Sequence, residues 1–290
     1  MKHEHFEMMT QYRTAVEECL NSLFTDDLPQ KALFESMRYS LLAGGKRIRP
    51  VFVLEFCRVC GGDWKKAIPF AAAVEMVHTY SLIHDDLPCM DDDDYRRGRL
   101  TNHKVYGEAQ AVLAGDALLT AAFDTISKAD APAEIKIDIV RILASAAGEN
   151  GMVGGQILDI DGENKALSAD EVRTIHRLKT GALIRAACCM GASAAGANDM
   201  QMQAASDYAE AVGMAFQIRD DMLDVLGDAK LLGKATNADE KKNTFVTVYG
   251  IEKCRQLIDA ENEKAMAALE VYDDRGFLED ITKMLASRDF

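Results

Sequence analysis

The chain has 290 residues, 48% of them hydrophobic, and carries a formal net charge of −14. That apolar fraction excludes a disordered chain, and the acidic surplus disfavours nucleic acid and anionic membranes as partners unless basic residues gather locally. Only five prolines interrupt a chain rich in Ala, Leu, Met, Glu and Lys, which favours helices over sheets.

The opening residues MKHEHFE are polar and acidic, unlike a secretory signal. No apolar run approaches the roughly 18 residues that cross a bilayer, so a cytoplasmic protein without stable membrane insertion is expected. Seven cysteines without a framework of spacings read as reduced thiols. Cys57 and Cys60 form a lone CxxC, with no second pair or His spacing for zinc and no βαβ pattern for thioredoxin-like chemistry. Both are assigned to helix packing. The absence of linkers, low-complexity segments and repeats predicts a single all-α domain over residues 1–290, a bundle of about ten or more helices.

Apolar residues recur at helical spacing at Leu33, Met37, Leu41 and Leu42. The segment GGKRIRP (residues 44–50) follows. Its glycines let backbone amides approach an anion, and its arginines offer forked donors to phosphate. It fails as a P-loop, because Ser40 stands where the leading Gly should be and Arg47 replaces Ser/Thr. A solvated basic turn is the alternative.

A second helical pattern, Ala72, Met76, Val77, Tyr80 and Ile83, runs into HDDLPCMDDDD (84–94). Pro88 should end that helix, leaving Asp85 and Asp86 in its last turn, where the helix dipole disfavours negative charge. Six carboxylates within ten residues at that end imply a cation; a solvated acidic loop is the bland alternative. A calcium EF-hand starting at Asp91 fails, with Arg96 at its sixth position and Asn102 at its twelfth. His78 shares the Asp85 face two turns earlier and reads as an anion contact, the alternative being a core histidine. A second basic segment, Tyr95-Arg96-Arg97-Gly98-Arg99, follows the acidic run.

Further on, the stretch from Leu178 to Ala197 is apolar on most sides and is expected to be a central helix. Lys179-Thr180-Gly181 opens it, and a lysine there is costly unless paired or functional. The second acidic cluster is FQIRDDMLD (216–224). Asp220 and Asp224 are four apart, with Asp221 beside them, on a helix whose other residues face a core. Carboxylates beside a core need a neutralising cation, and carboxylate oxygens suit magnesium with phosphate completing its shell. Two such clusters can bracket one polyphosphate. Lys234 is a weaker phosphate candidate.

Together these residues resemble the trans-isoprenyl diphosphate synthases of the bacterial farnesyl diphosphate synthase type. The similarity runs from about Gly44 to Thr244 and is densest in residues 75–119 (EMVHTYSLIHDDLPCMDDDDYRRGRLTNHKVYGEAQAVLAGDALL), with GMVGGQILD (151–159) also like the family's. The resemblance implies the isoprenoid synthase type of fold, with long antiparallel helices around a deep central cavity, and a homodimer. It implies a metal set of Asp85, Asp86, Asp91, Asp220, Asp221 and Asp224. These would hold Mg²⁺ (three ions, with Mn²⁺ as a substitute) against an allylic diphosphate that Arg96, Lys179 and Lys234 also bind. Gly45, Lys46, Arg49, His78 and Arg97 match the isopentenyl diphosphate site. Lys179, Thr180 and Gln217 match groups that stabilise the allylic cation. Tyr80, five residues before Asp85, and Ser81 match chain-length positions, and an aromatic at Tyr80 resembles C15-forming enzymes.

The implied activity is head-to-tail condensation of isopentenyl diphosphate with dimethylallyl or geranyl diphosphate to farnesyl diphosphate and pyrophosphate. The rivals are a C10 or C20 product from the same chemistry, a terpene cyclase, a calcium buffer, and a non-catalytic partner subunit. A cyclase lacks the isopentenyl site, and a non-catalytic subunit should have lost an aspartate cluster. Asn237 departs from the family's Gly, and residues 239–244 are about two short of its spacing. Contact of Lys242 or Arg288 with substrate is left open.

Overall fold

The computed structural model describes residues 1–163, 165–232 and 243–287. Lys234, Asn237, Asp239, Lys242 and Arg288 lie outside the described residues, as does the side chain of Asp224. The architecture is all-α, as expected. In chain order the helices are α1 (His3–Ser22), α2 (Lys31–Leu41), α3 (Ile48–Val59), α4 (Ile68–Asp85), α5 (Asn102–Tyr106), α6 (Glu108–Lys128) and α7 (Ala133–Ala147). They continue with α8 (Met152–Gly162), α9 (Ala169–His176), α10 (Ala182–Ala194), α11 (Asp199–Leu232), α12 (Phe245–Tyr249), α13 (Ile251–Ala268) and α14 (Gly276–Ser287). Among the described residues the strands are β1 (Tyr95–Arg96) and β2 (Arg99–Leu100), paired antiparallel as one hairpin.

The centre is set by helices with little polar surface. In α4 the run Phe70–Val77 is buried throughout, which requires neighbours all round; α6, α3, α1 and α10 supply them. α10 is buried along nearly its whole length, including Leu183, Ile184, Ala187, Cys188 and Met190, against α3, α7 and α11. The expected central helix is therefore present, but its start differs. α9 runs through a single π-helical turn, Arg177–Gly181, directly into α10, so Lys179 and Thr180 lie within a continuous helix. A second core packs Val172, Met214, Ile218, Met222 and Phe245 behind the acidic end of α11.

Arg47 pins the loop between α2 and α3. Its backbone is left-handed (φ 53°). Its guanidinium is buried and donates to Glu17 at 2.7 Å, Glu75 at 2.6 Å and the Leu41 carbonyl at 2.8 Å. Cys57 and Cys60 lie in and just after α3, and burial raises their thiols to about 12 and about 11. They stay protonated, consistent with packing. No described helix is long and apolar enough to cross a membrane.

Candidate active site

A basic cavity of about 420 Å³ opens between the α2–α3 loop, α4 and the β1–β2 hairpin. Gly45, Lys46, Arg49, His78 and Arg97 all line it, so the five expected isopentenyl-site residues share one space. The Gly45 backbone has φ +130°, and a Cβ there would sit 2.7–2.9 Å from the Arg97 guanidinium. Glycine is needed on both counts. Arg97 in turn donates to the Gly44 carbonyl. Arg49 Nε is buried with no hydrogen-bond partner among the described residues, a donor left for a ligand. Burial, aided by Arg49, Arg97, Arg47 and Arg96, holds His78 well below the ordinary imidazole range, so it faces the cavity as a neutral ring. In a chain of charge −14 this is a concentrated positive site.

A second cavity, of about 440 Å³, adjoins the first, and Arg49 and His78 line both. Its polar rim holds Asp85, Gln156, Lys179 and Thr180; its walls include Tyr80, Met152, Ile157 and Leu183. Ser81 also lines it, beside Tyr80, which is 7% exposed.

α4 ends at Asp85, one residue before Asp86 and three before Pro88. The chain then turns back so that the Asp91 N–H donates to the Asp85 carbonyl at 2.9 Å. Asp85 accepts from the Gln156 amide at 3.0 Å. Burial raises its carboxyl to about 6, with Lys179 and Arg96 opposing and Asp91 and Asp86 adding to the rise. Asp86 is buried and bound by Arg96 Nε at 2.6 Å, while Asp91 is exposed. Arg96 and Arg97 are consecutive but reach different sites, because the two-residue loop Arg97-Gly98 (φ 52° and 74°) turns the hairpin between them. Lys179 bonds Asp159 of α8 at 2.6 Å. A Cβ on Gly155 would overlap the Lys179 backbone nitrogen, so α8 and the π turn touch backbone to backbone. π turns shift the hydrogen-bond ladder and are frequent at functional sites.

On α11, Phe216 reaches the basic cavity, and Asp220 is close enough to Arg49 for its charge to favour the guanidinium. Asp221 is buried, and its Oδ2 accepts from the Phe245 N–H, the first of α12, at 2.7 Å. His176 joins this group: its Nδ1 lies 3.0 Å from the Gln217 amide nitrogen and its Nε2 3.4 Å from Asp221 Oδ2. Among the described residues no three His, Cys, Asp or Glu side chains converge closely enough to hold an ion alone. Magnesium ordinarily takes one or two carboxylates and completes its shell with water and phosphate.

Three contributors escape a reading of the sequence. Gln156 and Asp159 stand in the stretch 151–159 and their signal was its likeness to the family; His176 is a lone helical histidine with no distinguishing spacing.

The polyprenyl synthetase family model matches residues 30–279. A farnesyl diphosphate synthase of Micrococcus luteus is 48% identical over 250 residues, covering 84% of this chain and 86% of that protein. One from Geobacillus stearothermophilus is 42% identical, covering 98% and 97%. The apo crystal structure of an FPP/GFPP synthase from Zymomonas mobilis superposes with a TM-score of 0.89 at 33% identity, covering 98% of this chain and 99% of that one. The chain belongs to the polyprenyl synthetase family.

Proposed function

We propose that this protein condenses isopentenyl diphosphate head to tail with dimethylallyl or geranyl diphosphate, giving farnesyl diphosphate and pyrophosphate. The observation that carries this is the adjacency of the two cavities. One is cationic, the other has a charged rim and apolar walls, and they meet at Arg49 and His78. Two diphosphates seated there would bring their reacting carbons together, which removes much of the entropic barrier to a bimolecular step.

The carboxylates fit a divalent ion. Asp85 is pushed to about 6 by burial with Asp91 and Asp86 near it, a repulsion that a cation relieves. Asp85, Asp91 and Asp220 would hold Mg²⁺ (three ions, replaceable by Mn²⁺), with Asp86 shared with Arg96, Asp221 behind Asp220, and Asp224 completing the set. When bound, magnesium neutralises charge developing on the leaving diphosphate. Arg96, Lys179 and Lys234 add fixed positive charge at the same group. Thr180, Gln217 and the Lys179 carbonyl present oxygens to the allylic carbon as its C–O bond lengthens. Gly45, Lys46, Arg49, His78 and Arg97 hold isopentenyl diphosphate so that its double bond attacks that carbon. The apolar walls exclude water, and the adduct's proton passes to the departing pyrophosphate. No protein nucleophile takes part.

Tyr80 bounds product length. Five residues from Asp85 place it about 7.5 Å deeper along α4. The functional unit is a homodimer of one-domain chains, supported by the apolar side chains that α6 and α8 expose, Val112, Leu113 and Leu158 among them, of the kind that interfaces cover. Seven free thiols suit a reducing cytoplasm.

Product analysis with Mg²⁺, labelled isopentenyl diphosphate and dimethylallyl or geranyl diphosphate tests this. Farnesol after dephosphorylation, lengthened in Tyr80→Ala, is expected. Geranylgeraniol from the wild type would overturn the role of Tyr80. No condensation by folded protein would favour a non-catalytic partner subunit.

A further inference from the structure

Buried polar atoms without partners are rare and call for a cause. Two of the three among the described side chains belong to histidines, and one of these is His176 Nε2. The ring around it is held on every side. It stacks on Phe245 with centroids 5.2 Å apart and planes 18° apart. Its Nδ1 meets the Gln217 amide nitrogen at 3.0 Å, and its Nε2 faces Asp221 Oδ2 at 3.4 Å, too poorly aligned for a full bond. Asp221 is itself anchored by the Phe245 N–H.

This geometry dictates the tautomer. A carboxylate only accepts, so with Asp221 Oδ2 facing it the ring proton belongs on Nε2; Nδ1 then accepts, which turns the NH₂ end of the Gln217 amide toward the ring. The consequence falls on Gln217. With its NH₂ held by the ring, the amide cannot turn over, and its oxygen is the end directed away from the ring. An oxygen stabilises a neighbouring carbocation, whereas an NH₂ in its place would destabilise it.

We propose that His176 is a positioning residue that, backed by Asp221, fixes the side-chain amide of Gln217 with its oxygen toward the reacting allylic carbon. Asp221 thus acts inward, through the ring, beyond any service to metal. The logic is that of a carboxylate orienting a histidine that orients a third group. It rests on the function proposed above.

The test uses the full-length protein. In wild type, the ring ¹⁵N signals of His176 are expected to place a proton on Nε2 and an acceptor at Nδ1; a proton on Nδ1 overturns the proposal without any assay of activity. His176→Phe keeps the stack on Phe245 and loses both nitrogens. Its kcat with isopentenyl and geranyl diphosphates is expected to fall about ten- to a hundredfold, with both KM values and the Mg²⁺ concentration for half-activation unchanged. His176→Asn retains an acceptor near the Nδ1 position and should recover most of that loss. Added to Gln217→Leu, His176→Phe should cost nothing further, since residues acting in one unit are non-additive. Multiplicative losses, or a shift confined to KM or to Mg²⁺ dependence, overturn the proposal. If His176→Phe melts at assay temperature, the same cycle is read with His176→Leu, which also lacks both nitrogens and whose loss should likewise vanish on the Gln217→Leu background. Wild type that fails to condense the substrates sinks the proposed function instead, so the two failures are distinct.

Discussion

Lys179 rests its backbone on Gly155, so closely that a single methyl group on Gly155 would overlap the lysine nitrogen. The π turn that presents Lys179 and Thr180 is therefore held in place by the absence of an atom on α8. Gly155→Ala must push the turn away. We expect a destabilisation of about 1–3 kcal/mol, typical of overpacking, and a fall in kcat even where the variant is wholly folded. Thermal melting and steady-state assays below the transition check both.

Gly45→Ala should separate the two substrates. The added Cβ collides with Arg97 and sits at a φ that alanine resists. KM for isopentenyl diphosphate should rise about tenfold, equivalent to roughly 1.4 kcal/mol, while KM for the allylic diphosphate stays unchanged. Equal shifts in both would contradict the division of the two cavities.

Arg47→Ala leaves Glu75 buried without its partner. Removing one member of a buried pair costs about 3–5 kcal/mol, so the urea midpoint should drop sharply. Arg47→Met with Glu75→Leu should recover much of the loss, because no uncompensated charge remains in the interior.

Asp85 supplies a pH dependence of defined sign. Its folded value of about 6 lies above the ordinary 3.8, so the folded, ligand-free protein favours the protonated carboxyl. The stability this contributes is complete below the ordinary value and is lost as pH rises through about 6. Melting temperatures of wild type should therefore fall relative to Asp85→Asn between pH 4 and pH 7. Mg²⁺ with pyrophosphate should reverse the fall near pH 7, and Mg²⁺ binding should weaken below about pH 6.

Much of this was legible in the sequence for physical reasons. α4 could be read because its apolar residues repeat at helical spacing and Pro88 forces an end, which also places Asp85 at a cavity rim. The basic cavity could be read because glycines beside arginines are hard to explain without an anion. The hairpin could not, since two-residue strands are too short to show alternation. Nor could the π turn, because HRLKTG suits an ordinary helix equally well and the difference is a one-residue shift in hydrogen bonding. His176 stayed hidden because its partners Gln217 and Asp221 lie 41 and 45 positions further along the chain.

Surface loops generally tolerate inserted residues. The turn between Arg96 and Arg99 should not. Arg96 grips Asp86 while Arg97 grips the Gly44 carbonyl, so the span between these two proposed phosphate-binding arginines is one peptide unit, about 3.8 Å from Cα to Cα. The hairpin works as a fixed-length spacer. One residue added between Arg96 and Arg97 would leave each contact chemically intact but change their separation, and under the proposed function the two diphosphates would be held out of step with the bond to be formed.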